Sequence, residues 1–118
     1  MNEFQESSND GNVEESVQFA MQLIANGGNA RSSALEAIDL CKAGNFTGAD
    51  DKLKESDESL KIAHNIQTQM LTNEARGNRI QINLLVIHSQ DHLMNAITIR
   101  DIAGQFVDLY KLFNKNTE

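Results

Sequence analysis

His88, Asp91 and His92 lie in the stretch LLVIHSQDHLM, residues 84–94 of the 118-residue chain. On a helix, at about 100° per residue, positions three and four apart share a face. Two imidazoles and a carboxylate therefore project from neighbouring points. Asp91 also falls in line with Leu84, Ile87 and Met94. An ionised carboxylate in an apolar stripe is costly unless it is paired, protonated or bound to a metal. No basic residue lies within one turn of it, since the nearest in sequence are Arg79 and Arg100. If copies of this helix meet around a symmetry axis, several Asp91 carboxylates converge, and a divalent cation or a shared proton is needed.

Two chemistries suit this cluster. In the first, His88, Asp91 and His92 form a metal site within one chain, an acceptable ligand set for zinc. The zinc-protease pattern is absent, because no Glu follows the first His. In the second, His88 is a nucleophile that takes a phosphoryl group. A pKa of about 6.5 leaves a neutral imidazole nitrogen at near-neutral pH. Ser89, Gln90, His92 and Asn95 would offer donors to the phosphoryl oxygens. No glycine-rich nucleotide loop is present, which points to a phosphoprotein rather than ATP as donor.

The elements that must position these residues are helices. The chain has no Pro and only seven Gly, so few breaks are forced. Residues 1–12 read as a frayed acidic tail. Asn12 can cap a first helix over about 13–43, carrying Val13, Val17, Ala20, Met21, Ile24, Leu35 and Ile38 at helical spacing. The apolar phase resumes in register across Gly27-Gly28, which predicts one continuous helix there. The two glycines either admit a close neighbour or are tolerated weak points. Lys42-Ala43-Gly44-Asn45 ends that helix and caps a second over about 46–75, with Phe46, Ala49, Leu53, Leu60, Ala63, Ile66 and Met70 on one side. The charged run from Asp50 to Lys61 reads as a solvated face, and His64 as a hydrogen-bonded structural histidine. After the break at Glu74–Arg79 a third helix is expected over about 80–114, with Ile102, Phe106, Leu109 and Phe113 on one stripe. Three long helices with short joints make an all-α, antiparallel three-helix bundle, with residues 13–118 as one domain. The third helix is apolar on most of its circumference, which predicts self-association.

Composition narrows the partners. A formal net charge of −7 argues against nucleic acid and against an anionic membrane surface. It favours basic patches on protein partners. No apolar run reaches the roughly 20 residues of a membrane span, so direct insertion is not expected. The acidic N-terminus is unlike a signal peptide. Cys41 is the single cysteine, read as a small apolar helix residue and consistent with a cytoplasmic location.

The segment from His88 to Met94 resembles the active-site signature of the lactose/cellobiose-type IIA components of the bacterial phosphotransferase system. Ala30-Arg31-Ser32, Gly44-Asn45-Phe46 and Ala63-His64-Asn65-Ile66-Gln67-Thr68 are similar to the same family at matching places, so the resemblance spans about residues 13–113. Ser89 and Asn95 depart slightly, where the family more often has Ala or Gly and Thr or Ser. The resemblance implies a cytoplasmic phosphocarrier in the uptake of a β-linked disaccharide. On that reading the chain is a phosphotransferase component with no small-molecule turnover of its own. His88 would accept phosphate from phospho-HPr and pass it to a cysteine of the cognate IIB component, with His92 and Gln90 in support. It also implies a homotrimer with Asp91 of each subunit around one divalent metal ion, Mg²⁺ favoured and zinc acceptable. Two other classes compete: a structural or metal-binding helical oligomer, and a histidine phosphotransfer signalling domain. The latter usually carries Lys three positions after its histidine, where this chain has Asp91.

Overall fold

The structure is a computed structural model that describes the backbone of residues 2–117 and the side chains of residues 13–115. Three helices account for it: α1 (Asn2–Lys42), α2 (Phe46–Ala75) and α3 (Leu84–Thr117). They form an elongated bundle of 75 × 21 × 17 Å, with α1 packed against both of the others. No strand occurs among the described residues, and none of the helices is long and apolar enough to cross a membrane.

The two connections are set by local chemistry. Gly44 adopts φ +80° just past α1. The Asn45 N–H then reaches the Leu40 carbonyl at 2.8 Å, and the Gly44 N–H reaches that of Cys41 at 3.0 Å. These two bonds make the glycine-terminated cap that satisfies the last carbonyls of a helix. Asn45 immediately serves the next helix, its side-chain oxygen accepting from the Gly48 N–H at 2.9 Å. The same device closes α2, with Gly77 at φ +88° and the Asn78 N–H on the Asn73 carbonyl at 2.8 Å.

Two helix starts differ from expectation. α1 begins at Asn2 rather than near residue 13, so the stretch read as a frayed tail is helical backbone; its side chains lie outside the described residues. Without a proline, nothing in that stretch forbids helix. α3 begins at Leu84 rather than Ile80 because Asn83 caps it, its side-chain oxygen accepting from the Val86 N–H at 2.9 Å.

The core is made of small residues. On α1 the buried positions are Ser16, Ala20, Leu23, Gly27, Ala30, Ala34, Ala37 and Cys41, which advance by alternating fours and threes. On α2, Ala49, Ser56, Ala63 and Met70 repeat every seven. This is the heptad pattern of helices wound gently around one another. Small side chains on facing seams allow close approach, and the buried Ser56 hydroxyl donates across to the Ala30 carbonyl at 2.7 Å. Parts of the apolar stripes of α1 and α3 face outward instead. Val13, Val17, Met21 and Leu35 on α1, and Ile102, Phe106, Leu109 and Phe113 on α3, are exposed. Apart from Leu23, Met70, Val86, Leu93 and Val107 the buried side chains are small, and many large ones lie outside.

The charged face of α2 does more than meet solvent. Asp57 takes a two-pronged hydrogen bond from Arg100 of α3, at 2.6 and 3.0 Å. That carboxylate pushes the Arg100 guanidinium still further above its ordinary value. Asp50 holds Lys111 of α3 at 2.7 Å, and Lys52 reaches Glu36 of α1 at 3.0 Å. Lys111 thus pairs with α2, and Lys115 is the basic residue in the last turn of α3. Exposed pairs contribute little each, about 0–1 kcal/mol. Their value here is register, since each fixes the level of one helix against another. Cys41 is buried as expected, and burial pushes its thiol above the ordinary range.

Candidate functional site

α3 presents two faces with different tasks. Val86, Ser89, Leu93, Ala96, Ala103 and Val107 face the core. His88, Asp91, His92 and Asn95 occur at i, i+3, i+4 and i+7, so they share the other side. They line an open groove of about 460 Å³ with Thr98, Ile99 and one residue of α1, Arg31.

Within the groove the two histidines touch. Their Nε2 atoms are 3.0 Å apart, with ring centroids at 4.5 Å and planes at 84°. Such a contact needs one hydrogen between the two nitrogens: one ring donates its N–H and the other accepts with its lone pair. His88 is exposed and His92 half-buried, so His88 is the ring an incoming molecule meets. A neutral ring nitrogen is a nucleophile, and the neighbouring N–H donors and the Arg31 guanidinium suit an anionic electrophile.

The groove exists because α1 can come close at this level. A Cβ placed on Gly27 would stand 3.4 Å from the main-chain carbon and oxygen of His92, whereas one on Gly28 would meet nothing within 4 Å. The glycine pair is thus two different residues: Gly27 admits the neighbour, and Gly28 is a tolerated weak point in an unbroken helix. Gly28→Ala is expected to stabilise the fold by roughly 0.5–1 kcal/mol through helix propensity. Gly27→Leu should cost about 1–3 kcal/mol by prising α1 from α3. Urea unfolding of both variants would check this, and equal effects would refute the close approach.

Several sequence-predicted donors are elsewhere. Ser89 is buried, and its hydroxyl donates to the Val86 carbonyl at 2.6 Å, so it is not available to a ligand. Gln90 is about 200° around the helix from His88. Its carbonyl oxygen accepts from Gln67 of α2 at 2.8 Å, and its amide nitrogen lies 3.9 Å from the Met70 sulfur. It therefore lines the α2–α3 groove rather than the histidine groove. His64 is exposed on α2 and does not line the histidine groove. The in-chain metal site also fails, since no group of three or more His, Cys, Asp or Glu could hold an ion among the described residues. Arg31 was missed as a site residue because it reaches the groove from another helix; its signals were its place four residues after Gly27 and the Ala30-Arg31-Ser32 segment that resembles the family.

Asp91 is exposed in the single chain, as are Leu84 (81%), Ile87 and Met94 around it. The carboxylate therefore carries no burial cost until this stripe is covered. Arg100, one of the nearest bases in sequence, is held by Asp57.

The family model described as the lactose/cellobiose-specific IIA subunit of the PTS system matches residues 18–111. The lichenan-specific phosphotransferase enzyme IIA component of Bacillus subtilis (strain 168) is 46% identical over 98 residues, 83% of this chain and 89% of its own. The cellobiose-specific EIIA component of Lactococcus lactis subsp. lactis (strain IL1403) is 48% identical over 99 residues, 80% and 85% of the two chains. Among solved structures, the cellobiose-specific enzyme IIA of Bacillus anthracis superposes with a TM-score of 0.82 at 46% identity, covering 83% of this chain and 90% of that one. IIA(chitobiose) of Escherichia coli, solved in complex with HPr, gives 0.72 at 30% identity over 82% and 94%. With the fold and the match over residues 18–111 in agreement, the chain belongs to the lactose/cellobiose-specific IIA family of the phosphotransferase system.

Proposed function

We propose that this chain is a cytoplasmic phosphocarrier that takes a phosphoryl group from phospho-HPr on His88 and delivers it to a cysteine of a cognate IIB component, during uptake of a β-linked disaccharide. The observation that carries this reading is the exposed His88 ring, held at 3.0 Å by His92 at the edge of an open groove. The complex of HPr with the Escherichia coli relative supports HPr as the donor.

The step needs positioning more than covalent machinery. A ring-nitrogen lone pair of neutral His88 attacks the phosphorus of the donor's phosphohistidine. A new N–P bond forms as the donor's N–P bond breaks, that electron pair returns to the donor's imidazole, and the proton shed from the other ring nitrogen of His88 is balanced by one taken up by the donor ring. In the onward step a cysteine thiolate attacks, an S–P bond forms, and the pair from the broken N–P bond returns to His88, whose ring takes a proton back from solvent. His92 holds the acceptor ring in one rotamer and tautomer beforehand, then offers its N–H to a phosphoryl oxygen.

Assembly belongs to the same reading. Leu84, Ile87, Asp91, Met94, Ile102, Phe106, Leu109 and Phe113 advance along α3 largely by threes and fours and are all exposed. A helix that is apolar outside as well as inside needs a second partner. Three copies joined through this stripe would bury it and gather three Asp91 carboxylates. Hard oxygen donors of this kind suit one divalent cation per trimer, Mg²⁺ ahead of zinc. The ion would offset most of the carboxylate charge at the axis.

Incubation with phosphoenolpyruvate, enzyme I and HPr tests the carrier reading. Intact mass should show one acid-labile phosphate, and fragmentation at alkaline pH should place it on His88. No phosphate on the wild-type chain would end the proposal.

A further inference from the structure

We infer that Arg31 is a phosphoryl-binding residue of this site, its guanidinium supplying the positive charge that the phosphorylated His88 requires. The inference rests on the carrier reading and assigns within it a role to a residue of a different helix.

Three observations lead to it. First, Arg31 is the one permanently cationic side chain lining the groove with His88, His92 and Asn95. Second, it is placed there by packing. Gly27 abuts the His92 main chain, and Arg31 follows four residues later on the same face of α1. Helical side chains lean toward their own N-terminus, and α1 and α3 run parallel, so Arg31 leans back toward the level of His92. Third, it enters none of the ion pairs formed by the described residues, whereas Arg100, Lys111 and Lys52 hold Asp57, Asp50 and Glu36.

Charge explains why such a residue is needed. A phosphoryl group on His88 brings about two negative charges into a groove that already contains Asp91, on a chain of net charge −7. His92 can offer one N–H and Asn95 an amide. Neither supplies a full positive charge while both histidines are neutral. A guanidinium does so at every relevant pH, and its planar fork can bond two phosphoryl oxygens at once. No bond to phosphorus involves Arg31. It binds the group before, during and after transfer.

The assembled full-length protein, phosphorylated through enzyme I and HPr, provides the test. Arg31→Gln should accept phosphate roughly 10- to 100-fold more slowly, the loss of one charge-assisted hydrogen bond. It should also shift the ³¹P resonance of the phosphohistidine at a fixed alkaline pH. Arg31→Lys should recover part of the rate, because it restores charge without the fork. A rate and resonance unchanged in Arg31→Gln would overturn the assignment and leave the carrier reading intact. A changed sedimentation coefficient with an unmoved ³¹P resonance would also overturn it, making Arg31 an assembly residue. Absence of phosphate on wild-type protein would remove both.

Discussion

His88→Ala is expected to reduce phosphorylation by phospho-HPr to the level of a control lacking HPr, while His92→Ala slows it by roughly 10- to 100-fold. The difference follows from their positions in one contact. His88 is the exposed ring, and alanine there removes the one atom of this chain that bonds to phosphorus in the proposed step. His92 is half-buried behind it, and its loss removes orientation and one donor but leaves a nucleophile. Neither ring belongs to the buried core, so helicity and sedimentation should match wild type. Initial rates of phosphate incorporation by intact mass would measure both. If His92→Ala abolished incorporation and His88→Ala retained it, the roles of the two rings would be reversed.

What could be read from the chain divides along the range of the interactions. The ends and caps of α2 are local: Gly44 with Asn45, and Gly77 with Asn78, are residue types whose backbone preferences act within a turn. The in-phase passage across Gly27-Gly28 is also local, and α1 is indeed unbroken there. The start of α3 was legible in principle, since Asn83 is a good capping residue, but the apolar run after Arg79 drew the boundary four residues too early. The buried faces of α1 and α3 were harder for a physical reason. Periodicity weighs side chains by hydrophobicity, so it finds Val17, Met21, Phe106 and Leu109 before it finds Ala30, Ala34 and Ala103. In this bundle the small residues define the core because they let helices approach, and the large ones await another surface.

The site shows the same division. His88, Asp91, His92 and Asn95 lie within two turns of one helix, and spacing alone places them together. Ser89 and Gln90 lie in that stretch too, yet the helix turns them inward and toward α2, where Val86, Gln67 and Met70 engage them. Adjacency in sequence was misleading there by 100–200° of rotation. Arg31 is the converse case, distant in sequence and brought in by the approach at Gly27.

Asp91→Leu should leave the helices folded and the assembly at least as stable as wild type, and should make that stability independent of chelators. In the single chain Asp91 stands exposed between Ile87 and Met94, so nothing within one bundle depends on its charge. On the proposed trimer axis the balance changes. Three gathered carboxylates repel one another and lose water, and the divalent cation offsets that cost without adding the apolar contact a leucine would make. Replacing buried charges with well-packed apolar residues is often neutral or stabilising by about 1–4 kcal/mol. Leucine continues the line of Leu84, Ile87 and Met94 along α3. Thermal unfolding and sedimentation with and without EDTA separate the possibilities. Wild type should lose stability on chelation and Asp91→Leu should not. A monomeric or unfolded variant would place Asp91 away from the axis. Survival of phosphate uptake in the same variant would show that the carboxylate serves assembly, three residues from a histidine that serves transfer.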